Sequence, residues 1–223
     1  MIQKSFEIDG IKLDPTNKEF FEYAQLVLKD TQRRVVYLTG KAGTGKTTFL
    51  KYVVSEFERQ NQGSETPRSY VILAPTGVAA VNAHGQTIHS FFKLPSTAFL
   101  PEDEQYEISN IKKCFSYNNE KVELIKHLSL LIIDEISMVR CDILDIIDKI
   151  LKAYRKDNRP FGGVKVLLVG DAFQLSPIAS GQVIDKKTNT LVSIKYLLQQ
   201  QGYKSIYFFD SIRINQAIST TRV

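Results

Sequence analysis

The sequence is poor in cysteine and has no long apolar run. Cys114 and Cys141 are the only cysteines, without a Cys-x-x-Cys pair or a histidine close by, which is typical of a reducing compartment and argues against structural zinc. No apolar stretch is long enough to cross a bilayer, and the N-terminal MIQKSFEIDG lacks the apolar centre of a signal peptide. We therefore expect a soluble, cytoplasmic protein without a membrane partner.

The chain also lacks a strong excess of charge. Its net charge of +5 permits a polyanionic partner such as nucleic acid, but many basic proteins have none. With 223 residues, 43% of them hydrophobic, the chain is long and apolar enough to bury one large α/β core. Internal repeats and low-complexity tracts are absent as well.

Four apolar runs have the length of strands, and their hydrophobicity is continuous rather than alternating. Such runs are typical of a parallel sheet that is covered on both faces. Helical stretches lie between them, and residues 141–155 have apolar side chains at spacings of one, three and four. The pattern predicts an α/β fold with an open, mostly parallel sheet and helices on both faces. The four runs are VVYLT (35–39), YVILA (70–74), LSLLIID (128–134) and VKVLLVG (164–170).

Other stretches are less regular. Residues 61–68 (NQGSETPR) form a polar linker, and residues 94–121 have no clear period, which predicts an insertion at one edge of the sheet. Farther along, LVSIKYLLQQQ (191–201) is compatible with a helix and SIYFFD (205–210) with a strand.

A glycine-rich motif follows the first apolar run and opens a helix. In LTGKAGTGKTTFL (38–50) the spacing is that of a phosphate-binding loop, whose backbone N–H groups curl around phosphate oxygens at a helix N-terminus. Lys46 would reach the β- and γ-phosphates, and the Thr47 hydroxyl would bind Mg²⁺. The predicted nucleotide-binding residues are Gly40, Lys41, Ala42, Gly43, Thr44, Gly45, Lys46, Thr47 and Thr48.

An acidic pair stands at the end of the run LLIIDEISM (130–138). Ligands of open α/β sheets gather at the carboxyl ends of strands, so Asp134 would hold Mg²⁺ through water. Glu135 would polarise the attacking water as a general base. The alternative is an acidic strand end that caps the next helix, and the phosphate loop in the same chain weakens it.

The kind of P-loop protein follows from a further absence. The Asn-Lys-x-Asp motif with which GTPases bind guanine is missing, because the only Asn-Lys, at 17–18, precedes the phosphate loop and lacks the aspartate. Small-molecule kinases have no need of a glutamate after the strand aspartate. The pattern favours an ATPase whose hydrolysis drives a mechanical process.

A second phosphate-binding candidate lies in LAPTGVAAVNAHGQTIHSFF (73–92). It ends a strand and starts a small-residue helix, whose free N–H groups and hydroxyl can bind a phosphodiester. The segment His89-Ser90-Phe91-Phe92 then offers an imidazole N–H donor, a hydroxyl and two aromatic rings. Such rings stack on bases in proteins that bind single strands. The alternative that both phenylalanines are core residues is at least as good on physical grounds. The candidate DNA-binding residues are Pro75, Thr76, Gly77, His89, Ser90, Phe91 and Phe92.

The run LLVGDAFQLSPI (167–178) leads from an apolar strand into a polar loop. We expect this strand to be central and to lie beside the strand that bears Asp134, so that Asp171 and Gln174 overhang the phosphate site. The Gln174 amide can hydrogen-bond a γ-phosphate or the attacking water. The loop through Ser176 would carry the loss of that bond towards the DNA face.

Four segments in this order, GKAGTGKTTFLKY, APTGVAAVNAHGQTIHSFF, IIDEISMV and GDAFQLSPI, resemble the first RecA-like domain of the PIF-family DNA helicases. These helicases belong to the RecD-like, 5′→3′ branch of superfamily one, and the resemblance covers about residues 17–178. It implies a RecA-like P-loop NTPase domain that uses ATP and Mg²⁺, acts as a monomer on single-stranded DNA, and serves DNA repair and telomere or genome maintenance.

The resemblance also implies roles for single residues. Thr76, His89 and the neighbouring aromatics would touch the DNA strand, and Gln174 would sense the γ-phosphate. The residues that would run hydrolysis are Lys46, Thr47, Asp134 and Glu135. Asn17 would read adenine, although a helix N-cap explains an Asn there equally well.

The chain departs from the family pattern in two loops. His84-Gly85 stands where family members commonly have Gly-Gly, and Ser176-Pro177 where they have Pro-Pro, which would loosen the turn after Gln174. The family's second RecA-like domain, with its transition-state arginines, would follow residues 207–211. Nothing in the context of Arg213 or Arg222 marks either as such an arginine.

This pattern predicts three segments and a limited activity. They are an adenine-side segment (1–34), the ATPase domain (35–180, with the insertion at about 94–121) and an extension towards a second motor domain (181–223). We expect slow ATP hydrolysis and no unwinding by this chain alone. Two alternatives stay open, a non-catalytic nucleotide-dependent DNA-binding or assembly module and another P-loop ATPase that acts as a loader or switch.

Overall fold

The computed structural model describes residues 7–8, 10–14, 16–30, 34–65, 67–171, 174–177, 182–185 and 188–211. Among these residues the strands are β1 (Glu7–Ile8), β2 (Ile11–Lys12), β3 (Val35–Thr39), β4 (Ser69–Ala74), β5 (Gln86–Thr87), β6 (Leu128–Ile133), β7 (Lys165–Gly170), β8 (Gln182–Asp185) and β9 (Thr190–Ser193). The α-helices are α1 (Lys18–Lys29), α2 (Lys46–Asn61), α3 (Gly77–Asn82), α4 (Ile88–Phe92), α5 (Ile111–Cys114), α6 (Asn119–His127), α7 (Cys141–Arg155) and α8 (Ile194–Gln200).

A five-stranded parallel sheet in the order β3-β7-β6-β4-β5 forms the centre. β7 lies between β3, which leads into the glycine-rich motif, and β6, which leads into the acidic pair. The prediction of a central strand beside the one that bears Asp134 is confirmed. Because all five strands run in the same direction, their carboxyl ends meet at one edge, which we call the ligand edge.

Helices cover both faces of the sheet, as predicted. Along β6, Leu131 and Ile133 join one core cluster, whereas Leu130 and Ile132 join another, and successive strand residues point to opposite faces. The first cluster contains the apolar residues of α7, and the second contains those of α1 and α2. The helix predicted at 141–155 is confirmed with these bounds.

The irregular segment 94–121 is more ordered than its sequence indicates. The rings of Phe99, Tyr106 and Phe115 contact one another and belong to the first core cluster. The buried Arg140–Asp142 ion pair fastens the segment, since Arg140 donates to the Thr97 carbonyl and Asp142 accepts from the Phe99 N–H.

The strand predicted at 205–210 is wrong. Tyr207 forms a single antiparallel bridge with Arg140, and Phe208–Asp210 form a 3₁₀ turn. The turn buries the Phe208 ring against Tyr37 of β3, with ring centroids 5.2 Å apart. In the part of the chain that the structure describes, no helix is long and apolar enough to cross a membrane. Arg213 and Arg222 lie outside the described residues.

Candidate nucleotide and nucleic-acid site

The glycine-rich loop joins β3 to α2 at the ligand edge. Gly43 and Gly45 have φ angles of 78° and 87°, a left-handed conformation that side chains with a Cβ rarely adopt. A Cβ on Gly40 would lie 2.5 Å from the Thr44 hydroxyl oxygen, which is closer than real contacts allow. The loop therefore needs its glycines, and it leaves the N-terminus of the 16-residue α2 free for an anion.

Lys46 is the first residue of α2, and its ammonium group turns back over the loop. It donates to the carbonyl oxygens of Gly40 (2.5 Å) and Lys41 (2.9 Å). Thr47, the next residue, lines two clefts together with Asp134. The Lys46 ammonium and the Thr47 hydroxyl thus belong to the first two residues of α2, as the motif predicts.

Asp134 directly follows β6 at the ligand edge. Its N–H donates to the Leu73 carbonyl, and its carboxylate accepts from the Glu135 N–H at 2.9 Å. Burial raises the pKa of the Asp134 carboxyl, while the Glu135 N–H and the charge of Lys46 act in the opposite direction. One carboxylate beside one hydroxyl fits Mg²⁺, which takes few protein ligands and completes its shell with waters and substrate phosphates. Among the described residues no group of three or more His, Cys, Asp and Glu forms a full metal site.

Glu135 has a strained backbone. Its φ of 51° and ψ of 45° are left-handed, which costs a non-glycine residue about 1–2 kcal/mol. Burial raises the pKa of its carboxyl, and so do the charges of Asp134 and Asp171, whereas Lys46 opposes them. The strain turns the chain sharply after β6 into the 3₁₀ turn Ile136–Met138.

Gln174 meets these groups at one cleft, which we call the catalytic cleft. It has a volume of about 360 Å³, and Thr47, Asp134, Glu135 and Gln174 line it together. The Gln174 N–H donates to the Asp171 carbonyl at 3.0 Å, while its side chain is exposed. The structure therefore brings together the groups that the sequence places far apart along the chain.

Two residues of this region, Ser137 and Tyr207, were not found from the sequence. The buried Ser137 hydroxyl lines the cleft and has no hydrogen-bond partner within the described ranges. Ser176, the residue that departs from the family pattern, shares a hydrogen bond of 3.0 Å with the Tyr207 hydroxyl. This hydrogen bond connects the turn after Gln174 to the segment around Tyr207. No sequence signal marks Tyr207, because its partner is 31 residues away.

A second cleft of about 560 Å³ lies on the other side of the loop, and we call it the adenine-side cleft. Asn17 lines it and also caps α1, accepting from the Phe20 N–H at 3.1 Å. The N-cap interpretation of Asn17 is thus confirmed, and this cap uses the side-chain oxygen rather than the amide N–H₂. Phe20 and Tyr23 line the same cleft and were not found from the sequence.

The segment 73–92 contributes polar groups to the ligand edge. Thr76 caps α3 by accepting from the Ala79 N–H at 3.2 Å, and it lines the catalytic cleft together with Gln174. Pro75 is half-buried and Gly77 is exposed. Ser90 is exposed, and the half-buried His89 has its pKa lowered by burial and by the charge of Arg140.

The interpretation of two aromatic residues as base-stacking faces is wrong. Phe91 and Phe92 are only 2% and 0% exposed and pack edge-to-face in the first core cluster. Their apolar area stabilises α4 against the sheet, so neither ring face is open to a base.

Comparisons with known proteins agree with these features. The family model described as PIF1-like helicase matches residues 12–222. The ATP-dependent DNA helicase PIF1 of Candida albicans is 31% identical over 183 residues, which cover 81% of this chain and 19% of that protein. The ATP-dependent DNA helicase Pif1 of a Psychrobacter species is 32% identical over 178 residues, 80% of this chain and 25% of that protein.

Solved structures of similar proteins support the fold. Bacteroides Pif1 in complex with ADP-AlF4 is 37% identical, with a TM-score of 0.66, over 87% of this chain and 38% of that one. Bacteroides Pif1 bound to single-stranded DNA is 37% identical, with a TM-score of 0.66, over 88% of this chain and 38% of that one. The chain spans between 19% and 25% of the length of the two curated relatives.

Proposed function

Because the chain belongs to the PIF1-like helicase family, whose model matches residues 12–222, we propose that it is the ATP-hydrolysing motor part of a DNA helicase. We propose further that the helicase moves 5′→3′ along single-stranded DNA, with ATP and Mg²⁺ as its cofactors, in DNA repair and genome maintenance. One observation supports the proposal. A single cleft is lined by Thr47, Asp134 and Glu135, which suit hydrolysis, and also by Gln174 and by Thr76, a candidate DNA contact.

The hydrolytic chemistry follows from the positions of these groups. The free N–H groups of the loop and the Lys46 ammonium hold the phosphates, and Thr47 and Asp134 would hold Mg²⁺. When bound, this ion neutralises charge that develops on the phosphates. Glu135 takes a proton from the water that attacks the γ-phosphate, and its raised pKa favours that transfer.

Coupling to DNA follows from the shared cleft. The Gln174 amide would hydrogen-bond the γ-phosphate or the attacking water and lose that partner after hydrolysis. Thr76 starts α3 on the same cleft, so a shift of Gln174 changes the surroundings of a candidate DNA contact. The hydrogen bond between Ser176 and Tyr207 would transmit the same shift to the segment around Tyr207.

We propose that turnover by this chain alone is slow. Of the described residues that line the catalytic and adenine-side clefts, none is an arginine. An arginine at the transferring phosphate contributes about 10³–10⁵ in turnover in related phosphoryl-transfer enzymes.

Measuring ATP turnover by the 223-residue chain, with and without single-stranded DNA, tests the proposed function. We expect a low basal rate that the single strand raises, and single-strand binding that weakens steeply with salt because phosphates are contacted. ATP binding without any turnover would favour a non-catalytic DNA-binding module. Turnover without salt-dependent strand binding would favour another P-loop ATPase.

Replacing Asn17 separates its two roles. Serine is as good an N-cap as asparagine but has no amide N–H₂, so Asn17→Ser should keep the thermal stability. If the amide donates to adenine, the variant should bind ATP about 3- to 10-fold more weakly, the worth of one hydrogen bond. Calorimetric titration measures the affinity. Asn17→Ala, which loses the cap as well, should also lower the free energy of unfolding by about 1 kcal/mol. Unchanged ATP affinity in Asn17→Ser would leave Asn17 as an N-cap only.

A further inference from the structure

Two lysines lie together beside α4, each over an aromatic ring. The Lys121 ammonium lies over the Phe91 ring, 2.9 Å from its centroid. Lys93 directly follows α4 in a left-handed conformation with a φ of 51°, and its ammonium lies 5.9 Å from the Tyr117 ring centroid. Cation–π attraction favours these positions of the two ammonium groups, and we call Lys93 and Lys121 the basic pair.

The basic pair is not balanced by negative charge. Burial lowers the pKa of Lys121 to about 8, and the charge of Lys93 acts in the same direction. Within the described ranges, neither lysine forms an ion pair with a carboxylate. Two like charges therefore lie together without a counter-charge, and an anion that contacts both would relieve their repulsion.

The basic pair lies next to polar groups, Thr76 and Ser90, that follow one another from the ligand edge. β4 and β5 are parallel neighbours, with Ala74 opposite Thr87, so the turn at Thr76 and the start of α4 lie side by side. Ser90 is an exposed residue of α4, and the exposed Lys93 is the C-cap of this helix. A chain of phosphates that passes Thr76 and Ser90 can therefore continue to the basic pair.

We propose that Lys93 and Lys121 bind backbone phosphates of the single strand, next to the contacts of Thr76 and Ser90. The proposal rests on the proposed function and adds a sequence-independent contact, because an ammonium group reads phosphate charge and not bases. It also gives Phe91 a different role in strand binding. The buried ring positions the Lys121 ammonium instead of stacking on a base.

Salt titrations of single-strand binding test the basic pair. The logarithm of the binding constant falls linearly with the logarithm of the salt concentration. Each lost phosphate contact makes this fall less steep, by about 0.7 in the slope for single strands. Over the decade between about 0.1 M and 1 M salt this corresponds to about fivefold in affinity per lysine. We expect Lys93→Gln and Lys121→Gln each to show this loss at the low-salt end, and the double variant to show about 25-fold. Fluorescence anisotropy with labelled oligo-dT measures both quantities.

Two variants serve as controls. Lys29→Gln removes the same charge from the opposite edge of the sheet, since Lys165 at the start of β7 donates to the Leu26 and Asp30 carbonyls at the end of α1. It should leave the affinity and the slope nearly unchanged. Lys93→Arg keeps the charge and should keep the slope. Because Lys93 is exposed, its variants test the pair even if Lys121→Gln lowers the melting temperature.

The outcomes separate this inference from the proposed function. If the unaltered chain binds oligo-dT with a steep salt dependence, but Lys93→Gln and the double variant keep its affinity and slope, the basic pair is not a phosphate site. Loss of affinity for duplex DNA alone, with single-strand binding intact, also overturns the inference. No binding of oligo-dT by the unaltered chain contradicts the proposed function itself.

Discussion

Replacing Glu135 with glutamine is expected to lower ATP turnover by about 10²–10⁴-fold, the usual contribution of a positioned general base. Glutamine keeps the size of the side chain, but its amide cannot take a proton from the attacking water. ATP binding should stay intact or tighten, because the variant removes a negative charge that now lies beside Asp134 and Asp171. The rate of phosphate release measures turnover, and calorimetric titration measures ATP affinity.

The matched control for this substitution is Glu107→Gln. Glu107 is exposed and follows the 3₁₀ turn Glu104–Tyr106, so the variant should hydrolyse ATP at the rate of the unaltered chain. If Glu135→Gln also kept that rate, another group would accept the proton and the proposed role of Glu135 would be wrong. If it lost ATP binding together with turnover, the loss would report damage to the site rather than the missing base.

Replacing Lys46 with alanine should weaken ATP binding by about 10- to 100-fold, because a hydrogen bond to a charged group contributes about 1.5–3 kcal/mol. The Lys46 ammonium now donates to the Gly40 and Lys41 carbonyls, so the phosphates must compete with these two bonds. Because of this competition, we expect Lys46→Ala to lose less ATP affinity than it would if the Lys46 ammonium had no hydrogen bonds in the protein. Titration of ATP with Mg²⁺ by calorimetry gives the dissociation constant.

Two further variants make the Lys46 result specific. Lys46→Arg keeps the charge and should recover part of the affinity, whereas Lys29→Ala, at the far end of α1, should bind ATP normally. A Lys46→Ala variant with normal ATP affinity would contradict the assignment of the phosphate site. Its melting temperature should be compared as well, because Lys46 also closes the loop over its own carbonyls.

Features that depend on short-range geometry were predictable from the sequence. The phosphate loop needs glycines where φ is positive and a lysine at the helix start, and both requirements fix residue types at a fixed spacing. The central strands follow from their continuous apolar runs, and α7 follows from the helical spacing of its apolar residues. The positions of Asp134 and Gln174 follow from the strands that precede them, because parallel strands end at one edge.

Contacts between distant segments were not predictable in this way. The interpretation of Phe91 and Phe92 as open aromatic faces failed because residues elsewhere in the chain bury both rings, and Lys121 of α6 lies over Phe91. The expected strand at 205–210 failed because the burial of Phe208 against β3 favours a turn. A pattern of apolar residues predicts that a side chain will be buried. It does not predict which residues that side chain packs against.

By itself the sequence determined the α/β fold, the phosphate loop and the acidic pair, because each depends on residue types at short, fixed spacings. Only the tertiary structure decided that Thr76 lines the same cleft as Glu135 and Gln174 and that Ser176 forms a hydrogen bond with Tyr207. It also decided that the basic pair has no counter-charge within the described ranges. These contacts join segments far apart in the chain, and their energies depend on burial and distance, which residue order does not specify.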